Sequence, residues 1–249
     1  MRYTALATDY DGTLATEGEV GQETVAALRR LLASGRRLLL VTGRQLDELL
    51  GIFPQVELFE RVVAENGALL YHPGTRQETL LGQRPPAMFV AALQRRGVER
   101  ISVGRVIVAT WRDYETTVRE VIHELGLELE VILNKDAVMV LPRGVDKCAG
   151  FRATLSELGL SAHHVVGVGD AENDVDFLGL CGCSVAVANA LPLVKERVDF
   201  VTRGDHGAGV VELIDRLVAE DLSEFEPQVK RPVASPDTGE NSAVVHLEE

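Results

Sequence analysis

Apolar runs rich in β-branched residues, each followed by a stretch of helical periodicity, recur at both ends of the chain. That alternation predicts a parallel sheet with helices on its faces. Toward the N-terminus, Tyr3 to Thr8 reads as a strand, Gln22 to Ala33 as a helix, Arg37 to Thr42 as a strand, Gln45 to Phe53 as a short helix and Arg61 to Ala64 as a third strand. Toward the other end, Asp146 to Leu158 reads as a helix stopped by Gly159, His164 to Val168 as a strand, and Ala208 to Ala219 as a helix. The middle breaks this rhythm. From Pro85 and Pro86 onward, a helix (Ala87 to Arg95) precedes the β-rich Ile101 to Trp111, and a second helix (Glu115 to Leu125) precedes two strand-like runs. Those runs, Leu127 to Leu133 and Ala137 to Leu141, flank the turn-like Asn134-Lys135-Asp136 and predict an antiparallel hairpin. The expected architecture is α/β: a doubly wound, mostly parallel sheet over residues 1–82 and 143–221, interrupted by a small α+β domain over residues 83–142.

Beyond Asp221 the sequence turns to Glu, Pro, Ser, Asp and Gly, with Pro227, Pro232 and Pro236 spaced through it. Residues 222–249 are expected to form a flexible tail or linker, which leaves room for a fusion or partner domain. With 249 residues, 46% of them hydrophobic, the chain can bury a sizeable core. Its 25 Lys and Arg against 38 Asp and Glu leave a net charge of −13, which repels phosphate backbones and argues against nucleic acid as a partner. No apolar run approaches the roughly 20 residues that span a bilayer, and the first residues lack a signal-peptide core. A cytoplasmic address without membrane attachment is expected. Cys148, Cys181 and Cys183 show no C-x-x-C spacing, so reduced thiols are expected in place of a disulfide framework or zinc site. His72, His123, His163, His164 and His206 form no ligand-spaced pair and read as surface or satisfied histidines.

Candidate chemistry gathers where strands end. Asp9-Tyr10-Asp11-Gly12-Thr13 closes the first strand. Residues two apart on an extended chain point the same way, so Asp9 and Asp11 face one ligand while Tyr10 turns into the core. Gly12 permits a sharp departure. A second acidic stretch, Gly169-Asp170-Ala171-Glu172-Asn173-Asp174, follows the strand His164 to Val168 in the same manner. Ligands of an open parallel sheet bind beyond the carboxyl ends of its strands, so both clusters can meet in one crevice. Asp9, Asp11, Asp170 and Asp174 cannot share it ionised without a cation, and oxygen donors free of His or Cys favour Mg²⁺. Thr42-Gly43-Arg44 offers a hydroxyl and free backbone N–H groups after the second strand. Lys147 opens a helix, where a cation opposes the macrodipole and calls for an anionic partner.

The order DxDGT, TGR, Lys, GDxxND, with an insertion between the second and third, resembles the haloacid dehalogenase-like phosphatase superfamily, and within it the Cof-type or IIB branch. The stretch Glu65-Asn66-Gly67-Ala68 and the Gly-Val-Asp-Lys lead into Lys147 add to the likeness, which covers roughly residues 3 to 215. The resemblance implies a Rossmann-like core with a cap and a phosphatase acting on a small phosphorylated metabolite, a sugar phosphate or a phosphoglycolate-like acid. Asp9 would be the nucleophile, and Asp11 the acid and base. Thr42 and Lys147 would hold the phosphoryl oxygens, with Gly43, Arg44 and Asn66 beside them. Asp9, Asp11 (through its carbonyl), Asp170, Asn173 and Asp174 would bind or orient Mg²⁺. Specificity would belong to the cap, with Trp111, Arg112, Asn134, Lys135 and Arg143 as candidates. The alternatives are a phosphotransferase that passes the phosphoryl group to a second sugar and a low-turnover sensing module of a longer protein.

Overall fold

The computed structural model describes residues 1–224. Elements follow in the order β1 (Ala5–Thr8), α1 (Gln22–Ala33), β2 (Arg37–Val41), α2 (Leu46–Ile52), β3 (Arg61–Ala64), β4 (Leu69–His72), β5 (Gln77–Leu80), α3 (Ala87–Arg95), β6 (Ser102–Val103), β7 (Val108–Trp111), α4 (Glu115–Glu124), β8 (Leu129–Asn134) and β9 (Ala137–Pro142). They continue with α5 (Lys147–Leu158), β10 (Val165–Gly169), α6 (Val175–Leu180), β11 (Cys183–Ala186), α7 (Pro192–Lys195), β12 (Phe200–Val201) and α8 (His206–Glu220). An eight-stranded sheet in the order β12-β11-β10-β1-β2-β3-β4-β5 forms the core, and a four-stranded antiparallel sheet, β6-β7-β9-β8, lies outside it.

Every residue of β1, β10 and β11 is buried, as befits parallel strands covered on both faces. Tyr3, which the sequence placed in the first strand, lies just before it, while Arg37 and Arg61 begin their strands as expected. Sequence reading missed β4 and β5, an antiparallel extension of β3. All four residues of β5 are exposed, so the strand shows no apolar alternation, and it forms by pairing its backbone with β4. The hairpin β8–β9 pairs Asn134 with Ala137 around Lys135, which takes a left-handed φ of 52° in the turn.

The smaller sheet and helices α3 and α4 enclose an apolar cluster of their own, including Phe89, Leu93, Val118, Val121 and Val140. A separate cluster joins it to the main body: Val106, Ile107, Met139 and Leu141 pack on Ala68 and Val145. Leu222, which composition assigned to the tail, is buried in the main core; the remainder of that segment from residue 225 lies outside the described residues. No helix among the described residues is long and apolar enough to cross a membrane.

Candidate active site

Register decides which side chains meet. In the parallel pairs, Thr8 of β1 lies opposite Val168 of β10 and Leu40 of β2, so the residues just beyond these strands emerge together at one sheet edge. The Asp9 N–H continues the ladder to the Val168 carbonyl (3.0 Å), and the Thr42 N–H does so to Val63 of β3 (2.8 Å). Asp9, Asp170, Thr42 and Asn66 thus come from the ends of four adjacent strands. The topology brings Asp9, from the first acidic stretch, to the same sheet edge as the second. Tyr10 points the other way, fully buried, with its ring 5.4 Å from Phe53 and its hydroxyl donating to the Gly18 carbonyl at 2.9 Å.

Asp9, Asp170 and Asp174 are buried, and each presents a carboxylate oxygen within 4.8 Å of the others. Lys147 Nζ donates to Asp9 Oδ1 at 2.5 Å and to Asp174 Oδ1 at 2.7 Å. Lys147 is held there by the start of α5, where Asp146 caps the helix by accepting from the Ala149 N–H at 2.7 Å. Asp174 Oδ2 accepts from the N–H groups of Asp170 (2.9 Å) and Ala171 (3.0 Å), which fixes the acidic loop. Asp170 also accepts from Thr13 Oγ1 at 2.9 Å and from Lys135 Nζ at 2.6 Å.

Burial pushes the Asp9 carboxyl well above its usual range, and the charges of Asp174 and Asp170 push the same way while Lys147 opposes them. Asp170 is raised by burial and by Asp174. Burial pulls Lys147 down, but Asp174 and Asp9 outweigh it and the ammonium is held charged. Four carboxylates face three cations here, since Asp11 is paired with Arg44. The remaining charge imbalance and the oxygen-only donor set fit a hard divalent cation.

The structure separates Asp11 from that cluster. Both its oxygens accept from the Arg44 guanidinium at 2.6 Å, and Arg44 lies over the Tyr10 ring. Thr42 is fully buried and its hydroxyl accepts from the Arg44 N–H at 3.1 Å, so the TGR turn braces itself. Asn173 Nδ2 donates to Asn66 Oδ1 at 2.8 Å, leaving Asn66 Nδ2 and Asn173 Oδ1 buried without partners. A Cβ built on Gly43 would lie within 4.0 Å of both amides, which places that turn against the pair.

Of the outer candidates, only Lys135 reaches the acidic cluster. Trp111 is exposed and meets Arg100, Arg143 meets Glu130, and Arg112 Nη1 donates to the Lys135 carbonyl at 3.0 Å. Sequence reading missed Asn189, which donates to the Gly12 carbonyl at 2.7 Å and accepts from the His206 N–H at 2.7 Å. It lies shortly after β11, and the rule that selected Asp9 and Asp170, a polar residue beyond the carboxyl end of a buried strand, would have found it.

A family model of haloacid dehalogenase-like hydrolases matches residues 6–85 and 93–214. The chain belongs to the haloacid dehalogenase-like superfamily, in its Cof-type branch. It is 31% identical over 220 residues to a phosphoglycolate phosphatase of Methanothermobacter thermautotrophicus, covering 86% of this chain and 98% of that one. It is 32% identical over 218 residues to one of Haloarcula marismortui, covering 84% and 95%. Among solved structures, a haloacid dehalogenase-like hydrolase of Bacteroides thetaiotaomicron shares the fold with a TM-score of 0.75 at 18% identity, over 86% of this chain and 99% of the other. A subclass IIB sugar phosphatase shares it at 0.69 and 18%, over 86% and 98%. Family and relatives together place the chain among the superfamily's phosphatases.

Proposed function

We propose that the protein is a Mg²⁺-dependent phosphatase that hydrolyses a small phosphate monoester through an aspartyl-phosphate on Asp9. The observation that carries this reading is the meeting of Asp9, Asp170 and Asp174 with Lys147 beyond adjacent strand ends. Asp9, Asp170 and Asp174 would hold the ion, with the Asp11 carbonyl and Asn173 completing or orienting its shell. When bound, it offsets the negative charge that gathers as phosphate meets carboxylate.

Asp9 attacks phosphorus as the bond to the leaving oxygen breaks, and Asp11 gives that oxygen a proton. Water then displaces Asp9 from phosphorus, with Asp11 taking a proton from it. Among the described hydrogen bonds only Oδ1 of Asp9 is engaged, so Oδ2 can approach phosphorus. Thr42 and Lys147 hold the transferring oxygens, and the Gly43 N–H and Asn66 Nδ2 lie beside them. Arg44 clasps both Asp11 oxygens, so Asp11 leaves the guanidinium to reach the leaving oxygen, an arrangement that supports a positioning role for this arginine. The small cap and the named relatives support a sugar phosphate or phosphoglycolate-like acid as substrate.

Phosphate release from a panel of phosphorylated metabolites, with and without Mg²⁺, tests the reading. Release is expected only with the metal. Asp9→Asn should abolish it, by more than about 10³-fold, with the circular dichroism unchanged. Turnover near the parent rate in that variant would remove the covalent mechanism. Transfer to an added sugar without phosphate release would favour the phosphotransferase instead.

A further inference from the structure

The outer sheet delivers one side chain into the acidic crevice. Lys135, at the tip of the β8–β9 hairpin, extends its ammonium to 2.6 Å from Asp170 Oδ2. It also stands over the loop that follows Asp9: a Cβ built on Gly12 would fall 2.7 Å from Lys135 Nζ and 2.5 Å from Asp170 Oδ2. The tip is braced from both sides, because Arg112 donates to the Lys135 carbonyl and the Lys135 N–H donates to Glu172 Oε2 at 3.4 Å. Its neighbour Asn134 keeps a buried Oδ1 without a partner. The Lys135 side chain is partly exposed while its carboxylate partner is buried, so the lysine reaches Asp170 from the solvent side.

Two consequences follow from this placement. A lysine that touches the floor of the crevice leaves room for only a short leaving group between hairpin and core. A single cation of this kind also needs an anion once Asp170 turns to a metal, and a carboxylate is the group it already holds at hydrogen-bond distance.

We propose that Lys135 is the specificity residue with which the closed cap pairs a carboxylate of the leaving group, so that the site selects small phosphorylated hydroxy acids over neutral sugar phosphates. The inference rests on the phosphatase reading above and narrows its substrate class. The same ammonium that closes the hairpin on Asp170 transfers to the substrate carboxylate, so cap closure and recognition of the acid are one event. A neutral leaving group of equal length gives the lysine no partner and leaves it desolvated.

The test compares 2-phosphoglycolate with ethyl phosphate, which lacks the carboxylate, in parent, Lys135→Met and Lys135→Arg proteins. The parent is expected to favour the acid in kcat/KM, and Lys135→Met to lower that preference by about 10- to 100-fold, the worth of one charge-assisted hydrogen bond. Lys135→Arg should recover part of it. Calorimetric binding in the inactive Asp9→Asn background should show the same loss in affinity for 2-phosphoglycolate, separating recognition from turnover. A Lys135→Met protein that keeps the parent's preference, or that loses both substrates in equal proportion, overturns the assignment while leaving the phosphatase reading intact. Failure of the parent to release phosphate from any panel member would remove both.

Discussion

Lys147 is as buried as any leucine of the core, yet it carries a charge and meets two carboxylates. Such a group persists because its partners are also buried, and removing it leaves two acids facing each other without compensation. Lys147→Met should therefore destabilise the metal-free protein by about 3–5 kcal/mol in urea unfolding, with Mg²⁺ restoring a substantial part. Equal destabilisation with and without the metal would show that the ion does not share these carboxylates. At this scale the sequence was informative wherever a residue's neighbours are local. The two-residue spacing of Asp9 and Asp11 and the strand–loop change at Gly169 identified the acidic positions. The partners of those residues were harder to see. Arg44, expected beside the substrate, clasps Asp11, and Thr13 of the first motif donates to Asp170. Both contacts join segments distant in sequence, and nothing in either segment alone encodes them.

The turn after β3 shows how one short element ties two bodies together. Glu65 and Asn66 both adopt left-handed φ values, 51° and 54°. That twist sends Asn66 toward the site and Glu65 toward the smaller sheet, where its carboxylate accepts from the N–H groups of Arg105 (2.8 Å), Val106 (2.7 Å) and Ile107 (3.0 Å). Gly67 completes the turn at φ 106°, and a Cβ there would overlap the Asp146 carbonyl just ahead of Lys147. The three N–H groups lie between β6 and β7, so Glu65 docks the smaller sheet on the core. Glu65→Ala should leave them unpaired, at a cost of about 1–3 kcal/mol each where water cannot reach. Amide exchange should accelerate at residues 105–107 while β1 and β10 stay protected. Unchanged exchange there would mean that the apolar contacts of Val106 and Ile107 suffice for docking. Helices α1, α3 and α5 and the β8–β9 hairpin were readable from periodicity and turn chemistry, whereas the docking was not. It depends on a buried carboxylate meeting a loop some 40 residues away.

Across the whole molecule, the ends of the described chain are tied by charge. Asp221, at the end of α8, accepts from Arg2 N–H, from Tyr3 N–H at 3.3 Å and from Arg36 Nη2 at 2.8 Å. Its partial burial acts upward, but these donors outweigh it and hold the carboxyl below its ordinary range. A carboxyl depressed in the folded state stabilises above the unfolded value, near about 3.9, and that contribution disappears as pH falls through the lower folded value. Asp221→Asn should lower stability by about 1–2 kcal/mol at neutral pH, with the difference from the parent shrinking below about pH 4 in chemical unfolding curves. A constant difference down to pH 2 would assign the effect to packing. The cation expected where the acidic stretches meet has a local counterpart in Asp9, Asp170 and Asp174, three buried acids that outnumber the lysines pairing with them.

The pairing of β1 with β10 has a kinetic corollary. Thr13 and Asp170, which bond across that junction, stand 157 residues apart, with the entire smaller sheet threaded between them. Long-range closure of this kind is slow because the intervening chain must surrender its freedom before any contact rewards it. Helices and the β8–β9 ribbon need no such closure. During refolding from urea, ellipticity should therefore return ahead of catalysis, making recovery of turnover a stopwatch for the moment the two distant strands zip together.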